Sequence, residues 1–183
     1  AITTDQINIL STSQVAALTS AQVQALTTAQ INAMSVDQIA SISASGVGAL
    51  TTTQITGLTA AIDLLAGLST AQIPALSAAN VAILTNNQLN ALSTAQINSL
   101  STSQAKALSG SQITGLTTEN LIALSSNAIA NLSTSALSTI TTPQLQNLTT
   151  TQLQSLTSTG LRALTTAQIN ALSTTQTSAL SST

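Results

Sequence analysis

The chain of 183 residues carries only two Lys or Arg and four Asp or Glu, has a formal net charge of −2, and contains no His, Cys, Phe, Trp or Tyr. Two basic side chains cannot follow a phosphate backbone, which excludes nucleic-acid binding. The longest apolar run, residues 64–68, is far shorter than the roughly 18–20 residues that span a bilayer.

From Thr3 to Leu180 the chain repeats one octapeptide twenty-two times, which we number as octads 1 to 22. Octads 1–7 cover residues 3–58, octad 8 covers residues 59–68 with a two-residue insertion, and octads 9–22 cover residues 69–180. Position 1 is Ser or Thr in every octad, position 4 is Gln in fifteen, and position 8 is Leu in nineteen. So short a period predicts units that pack on their neighbours. We therefore expect residues 1–183 to form a single octapeptide-repeat solenoid.

Each octad, from the first onward, carries the signal for a helix start. Thr3 followed three residues later by Gln6 is a capping box: the hydroxyl accepts from the amide of the third helical residue, and the Gln side chain returns to the N-cap amide. The same pair recurs as far as Ser173 and Gln176. The repeat therefore predicts a short capped helix in every octad.

The few charged residues agree with these helix directions. A helix dipole favours acids in the first turn and bases in the last. Position 3, in the first turn, holds Asp5, Asp37 and Glu119, and position 6, toward the carboxyl end, holds Lys106 and Arg162.

Aliphatic residues occupy positions 5 and 8, so their spacing alternates between three and five residues, a mean period of about 4.0 instead of 3.6. One continuous helix would spread this stripe around its axis. We therefore predict an all-α solenoid of about twenty-two very short capped helices, with positions 5 and 8 inside. The alternative is a β-solenoid, but positions 5 and 8 would point to opposite faces of a strand. No longer period shows how many octads complete one coil.

Three places depart from the repeat. Octad 8 (59–68) contains the fourth acid, Asp63, and its extra residues predict a longer helical segment or a bulge; a kink or lateral contact site is the functional alternative. Pro74 lies at position 6, where it would clash with a mature helix, so that helix must be ending or 3₁₀-like. Pro143 lies at the second helical position, where its missing amide hydrogen costs nothing.

Chemistry requires a nucleophile beside a base, or a cluster of ligands. With no His or Cys and only scattered acids, we expect no enzyme, no catalytic, cofactor-binding or metal-binding residue, and no cofactor. Asn131 and Asn147 match the N-glycosylation pattern, but any Asn at position 7 does so automatically, because Leu and Ser or Thr follow it.

Two polar columns admit a second interpretation. The Gln column is explained by capping, with a glutamine ladder between chains as the alternative. The Ser and Thr residues at positions 1 and 2 form a regular hydroxyl ridge, explained by capping at position 1 and solvation at position 2. The alternative is a binding module whose ridge engages ice or a glycan.

Residues 164–172, Leu-Thr-Thr-Ala-Gln-Ile-Asn-Ala-Leu, and residues 92–100, Leu-Ser-Thr-Ala-Gln-Ile-Asn-Ser-Leu, resemble the octapeptide repeat tracts of large secreted bacterial surface and adhesin-like proteins. The resemblance covers nearly the whole chain. It implies an extracellular or cell-surface structural role and carries over no functional residue.

We accordingly expect a non-enzymatic structural protein that forms or spaces an extracellular fibre. Neither end of the array has an atypical capping octad, and low charge leaves little repulsion between copies. Such a chain would stack head to tail, a heterologous contact that need not close, or continue within a longer polypeptide as a stalk. No nucleic acid and no transmembrane segment are expected, and a glycan or surface contact belongs to the binding alternative.

Overall fold

The computed structural model describes residues 3–58 and 65–180. Over these residues it is helical with no strand, so the all-α solenoid prediction is confirmed and the β-solenoid alternative is wrong. None of these helices is long and apolar enough to cross a membrane. The chain divides into two compact halves, an N-terminal half of residues 1–92 and a C-terminal half of residues 93–183. The single-domain assignment stays a prediction.

The α-helices are five to seven residues long and the one 3₁₀ helix has three residues, with one helix in each octad that the structure describes in full. In the N-terminal half they are Thr4–Asn8 (α1), Thr12–Ala16 (α2), Ser20–Gln24 (α3), Thr28–Ala33 (α4), Val36–Ser41 (α5), Ala44–Gly48 (α6), Thr52–Thr56 (α7), the 3₁₀ helix Ile73–Ala75 (η1), Ala78–Ala82 (α8) and Asn86–Ala91 (α9). In the C-terminal half they are Thr94–Asn98 (α10), Thr102–Ala107 (α11), Gly110–Gly115 (α12), Thr118–Ala123 (α13), Ser126–Ala130 (α14), Thr134–Thr139 (α15), Thr142–Asn147 (α16), Thr150–Gln154 (α17), Ser158–Ala163 (α18), Thr166–Asn170 (α19) and Thr174–Leu180 (α20).

Each helix ends in an extended corner made by position 8 and position 1 of the next octad. In octad 5 the amide of Ile39 donates to Ser35 O at 2.9 Å, and the amide of Ile42 then donates to Ile39 O at 3.1 Å, which tightens the last turn. At this corner Ile42 has ψ 131° and Ser43, the first residue of octad 6, has ψ 153°, conformations open to any residue. No described residue, glycine included, has a positive φ, so the corners need no glycine.

Three octads complete one coil. In the N-terminal half the strongest helix contacts are α1 with α4, α2 with α5, α3 with α6, α4 with α7, α6 with η1, and α7 with α8. In the C-terminal half they run in the same way from α10 with α13 to α17 with α20. Since all of these pairs join octads three apart, each half is a stack of three-octad coils in which octad n lies on octad n − 3. A coil of regular octads has 24 residues.

Positions 5 and 8 supply the core, as predicted. Ile55 and Leu58 of octad 7, for example, are almost fully buried, and so are Leu145 and Leu148 of octad 18. Burying an Ile and a Leu contributes about 3–6 kcal/mol per octad. One octad cannot order eight residues on that amount, because backbone ordering alone costs about 1–2 kcal/mol per residue. Stability must therefore come from octads that pack on one another.

Small residues at position 7 let successive coils approach. A Cβ on Gly57 would lie 2.5 Å from Thr28 Cγ2 in the coil below. Where position 7 is instead the larger Thr139, its partner at position 2 three octads earlier is Gly110, whose added Cβ would lie 2.8 Å from Thr139 Cγ2. In these two pairs glycine appears on one side of the contact when threonine occupies the other.

The irregular octads behave as their sequences indicate. Pro74 lies in the 3₁₀ helix η1, and Pro143 lies in the first turn of α16. In octad 8 residues 59–64, and with them the predictions for Asp63 and for the inserted segment, lie outside the described residues. Leu65 and Leu68 are buried, so the carboxyl end of this octad still supplies its two core side chains.

Candidate functional site

The polar feature that recurs through the fold is the glutamine at position 4. In all fifteen octads that contain it, Gln Oε1 accepts a hydrogen bond from the backbone N–H of the position 1 residue, at 2.6 to 3.0 Å. In every one of these octads except octad 9, the position 1 hydroxyl accepts a bond in return, as where Gln54 N donates to Thr51 Oγ1 at 3.1 Å. The capping prediction is therefore confirmed.

The other end of the glutamine amide acts between coils. Gln54 Nε2 donates to Val23 O at 3.0 Å and to Leu26 O at 2.7 Å. Both carbonyls lie in the second half of octad 3. Octad 7 packs on octad 4, so its glutamine reaches the corner that joins octad 3 to octad 4. Val23 O also accepts from Leu26 N at 3.2 Å in the last turn, so the side chain four octads later adds a further hydrogen bond at the end of this helix. We call this inter-coil bond the glutamine brace.

The brace recurs in both halves. Gln144 Nε2 donates to Ile113 O at 3.0 Å and to Leu116 O at 2.9 Å. The same pattern joins Gln38 to octad 1, Gln152 to octad 15, Gln168 to octad 17 and Gln176 to octad 18. Gln72 donates to Ile42 O at 2.6 Å across the insertion, so the two extra residues do not change which octads are braced.

Octads without glutamine keep only part of this arrangement. Asn80 Nδ2 still donates to Leu50 O at 2.8 Å. The Asn side chain is one methylene shorter than that of Gln, so its buried Oδ1 accepts no hydrogen bond and no capping box forms. Ala128 and Ala136 have no side-chain amide, so neither can make the brace. Their backbone N–H groups still donate to the hydroxyls of Ser125 and Ser133, which cap the helices. Glutamine at position 4 thus performs two jobs, which shorter residues perform partly or not at all.

At position 1 most hydroxyls of the ridge already form hydrogen bonds within their own octads. Thr19 Oγ1 accepts from Gln22 N at 3.3 Å and donates to Gln22 Oε1 at 3.0 Å. Thr141 Oγ1 does the same with Gln144. Because both functions of these hydroxyls are used within the octad, an external ligand would have to rely on position 2, where Thr52, for example, is exposed.

The charged residues lie where the helix dipole favours them. Asp5, Asp37 and Glu119 are in first turns, and Lys106 and Arg162 are in last turns. Within residues 3–58 and 65–180 no group of three His, Cys, Asp or Glu could hold a metal ion.

The two Asn residues in glycosylation patterns are exposed, and each bonds within its own helix. Asn131 Nδ2 donates to Asn127 O at 2.8 Å, and Asn147 Nδ2 donates to Pro143 O at 2.7 Å. Each therefore has a structural role at a helix end.

Sequence reasoning found the capping role and missed the brace. A glutamine ladder was considered only between chains, whereas the structure places one between coils of the same chain. The number of octads per coil was needed to see it, because only that number tells which carbonyls lie beneath each glutamine. The signal available was the preference for Gln over the equally good capping residue Glu, which lacks the Nε2 donor.

A family model described as the ALTTAQ repeat matches residues 1–28, 63–94, 86–118 and 149–182, more than half of the chain. No curated protein matches it. The sequence Ala-Leu-Thr-Thr-Ala-Gln itself occurs at residues 25–30 and 163–168. In the structure these six residues are positions 7 and 8 of one octad and positions 1 to 4 of the next. They form the corner, the N-cap and the capping glutamine, and in residues 163–168 that glutamine, Gln168, also makes the brace.

Proposed function

This chain belongs to the ALTTAQ repeat family, and from that premise we propose that it is a non-enzymatic structural repeat protein that forms or spaces a fibre outside the cell or at its surface. The observation that carries the proposal is the glutamine brace. Within each half the brace joins a coil to an earlier one. The same residue type makes this bond wherever it occurs, so the contact does not depend on one place in the array.

The repetition of one contact supports a length-setting role. In solenoids stability comes from repeat and nearest-neighbour interface terms, so units are added without redesigning the rest. In this chain the caps, the core positions and the brace all lie within or between neighbouring coils. The small net charge of −2 cannot steer a charged partner and leaves little repulsion between copies.

The test is to lengthen the array. Duplicating residues 93–116, one coil of three octads, should keep the mean residue ellipticity at 222 nm and increase the maximum dimension measured by small-angle X-ray scattering. The matched control duplicates residues 93–112, which breaks the octad frame by half a repeat and should lower helicity. An array that loses helicity equally in both variants, or gains no length, would contradict the spacing role.

Location and the binding alternative need separate measurements. Intact cells of the source organism should bind an antibody raised against the chain, and staining that requires permeabilised cells would contradict a surface location. Glycan arrays and thermal-hysteresis measurements on the whole chain should both be negative. A specific signal in either would instead support the hydroxyl ridge as a binding surface.

A further inference from the structure

Glutamine is missing from position 4 through one whole coil of the C-terminal half. Octads 15, 16 and 17 have Asn120, Ala128 and Ala136 at this position, and nowhere else in the array do two neighbouring octads lack glutamine. Octads 16 and 17 form helices α14 and α15, which pack on helices α11 and α12 of octads 13 and 14. We call this contact the unbraced junction.

At the unbraced junction the position 4 side chains add no hydrogen bond. Ala128 and Ala136 are fully buried, but each ends in a methyl group. Two hydrogen bonds that do cross the junction lie at the surface, where Thr114 Oγ1 donates to Thr139 O at 3.1 Å and Thr139 Oγ1 donates to Gly110 O at 3.1 Å. Solvent-exposed hydrogen bonds are typical of regions that open easily.

Two successive corners of the same coil show the difference directly. Leu108 and Leu116 are buried position 8 residues of octads 13 and 14. Leu116 O accepts from Gln144 Nε2, 28 residues later, at 2.9 Å. The residue in the same relation to Leu108 is Ala136, which has no side-chain amide to donate. One corner is therefore held by a brace, whereas the other is held by packing without one.

We propose that the unbraced junction is a built-in opening point, where octads 16 and 17 separate from octads 13 and 14 before the neighbouring braced contacts separate. A folded protein opens locally where its contacts are weakest, and each contact in a solenoid is a nearest-neighbour term. The array then yields at a fixed place while the octads on either side stay stacked. This property goes beyond the spacing role, because it belongs to the junction itself.

Thiol labelling of the whole chain tests the proposal, because the chain has no cysteine of its own. L108C places a thiol beneath the unbraced junction, and L116C places one beneath the brace of Gln144. Each thiol reacts with a thiol reagent only when its corner is uncovered, and rates in the urea-unfolded chains correct for intrinsic reactivity.

We expect the thiol in L108C to react roughly tenfold faster than the thiol in L116C. Gln144 donates to both Ile113 O and Leu116 O, and each such bond contributes about two- to tenfold to an equilibrium constant.

Exchanging the residues above the two corners tests the cause. A136Q in the L108C chain should slow labelling toward the rate of L116C. The matched reverse change, Q144A in the L116C chain, should raise labelling toward the rate of L108C. Circular dichroism at 222 nm checks that each variant is folded, and if A136Q does not fold, Q144A decides the question alone.

Three results would overturn the proposal. One is labelling of L116C that is as fast as that of L108C, or faster. Another is a folded A136Q variant that labels no more slowly than its L108C parent. The third is a Q144A variant that labels no faster than its L116C parent, since the brace would then contribute nothing to closing the contact. None of these results bears on the spacing role, which the lengthened arrays decide.

Discussion

Gln14 in the first coil and Gln54 in the third coil occupy the same octad position and cap their helices alike, each accepting the N-cap amide at 2.8 Å. They differ in what the other amide end does. Gln54 is buried and donates to Val23 O and Leu26 O, whereas Gln14 is exposed. The cap thus depends only on residues of one octad, whereas the brace needs carbonyls of an earlier coil.

The sharpest way to separate the two roles is Gln→Glu at both positions. Gln54→Glu should lower the free energy of unfolding by about 3–5 kcal/mol, because an uncompensated charge would be buried against carbonyl oxygens. Gln14→Glu should change it by about 0.5 kcal/mol or less, as at an exposed site. Urea denaturation followed at 222 nm measures both. Equal losses would mean that Gln54 acts only as a cap.

Core truncation should show the same contrast more weakly. Leu100→Ala removes a buried side chain between coils and should cost about 2–5 kcal/mol. Leu18→Ala, at a half-buried site of the first coil, should cost roughly half as much, because less area is lost. Thermal unfolding of the two variants tests this, and a larger loss at Leu18 would contradict the assignment of octads 1–3 as an end coil.

Removing the N-cap hydroxyl should not distinguish the two regions. Thr51→Ala and Ser11→Ala each delete the acceptor of a local bond, from Gln54 N at 3.1 Å and from Gln14 N at 3.2 Å. Each should cost about 0.5–2 kcal/mol. Hydrogen exchange in residues 51–58 and 11–18 reports each site, and a loss confined to residues 51–58 would show that capping depends on stacking.

The smallest expected effect is a gain. Asn80→Gln should complete the capping box with Ser77 and keep the bond to Leu50 O, raising the free energy of unfolding by about 0.5–1.5 kcal/mol. The matched reverse change, Gln54→Asn, should lose a similar amount. If Asn80→Gln destabilises the chain in the same urea experiment, the pocket at octad 10 is too small for the longer side chain.

Much of the fold follows from local sequence. The spacing of Thr3 and Gln6 predicts the cap, the dipole accounts for Glu119 and Lys106, and Pro74 predicts a helix that is ending or 3₁₀-like. The cap, the charge positions and, of the two alternatives at Pro74, the 3₁₀ helix appear in the structure. Each of these features depends on groups fewer than eight residues apart, so the sequence of a single octad is enough to predict it.

The coil size did not follow, because the three sides of each coil carry the same octad and no longer period marks them. Three octads per coil is a property of how the corners close and how the small residues at position 7 pack. Gly57 beside Thr28, and Gly110 beside Thr139, are partners across coils that sequence alone could not pair. The brace stayed hidden for the same reason, since its carbonyls are identified only once the stacking is known.

The backward direction of the brace has a consequence for how the chain acquires its structure during synthesis. Gln54 donates to carbonyls 28 to 31 residues earlier in the chain, and Gln144 spans the same separations. Such local topology favours fast folding. An octad that leaves the ribosome therefore meets acceptors already held in place by earlier octads. The chain can thus fold from its amino end during synthesis, with each new octad packing on octads that are already folded.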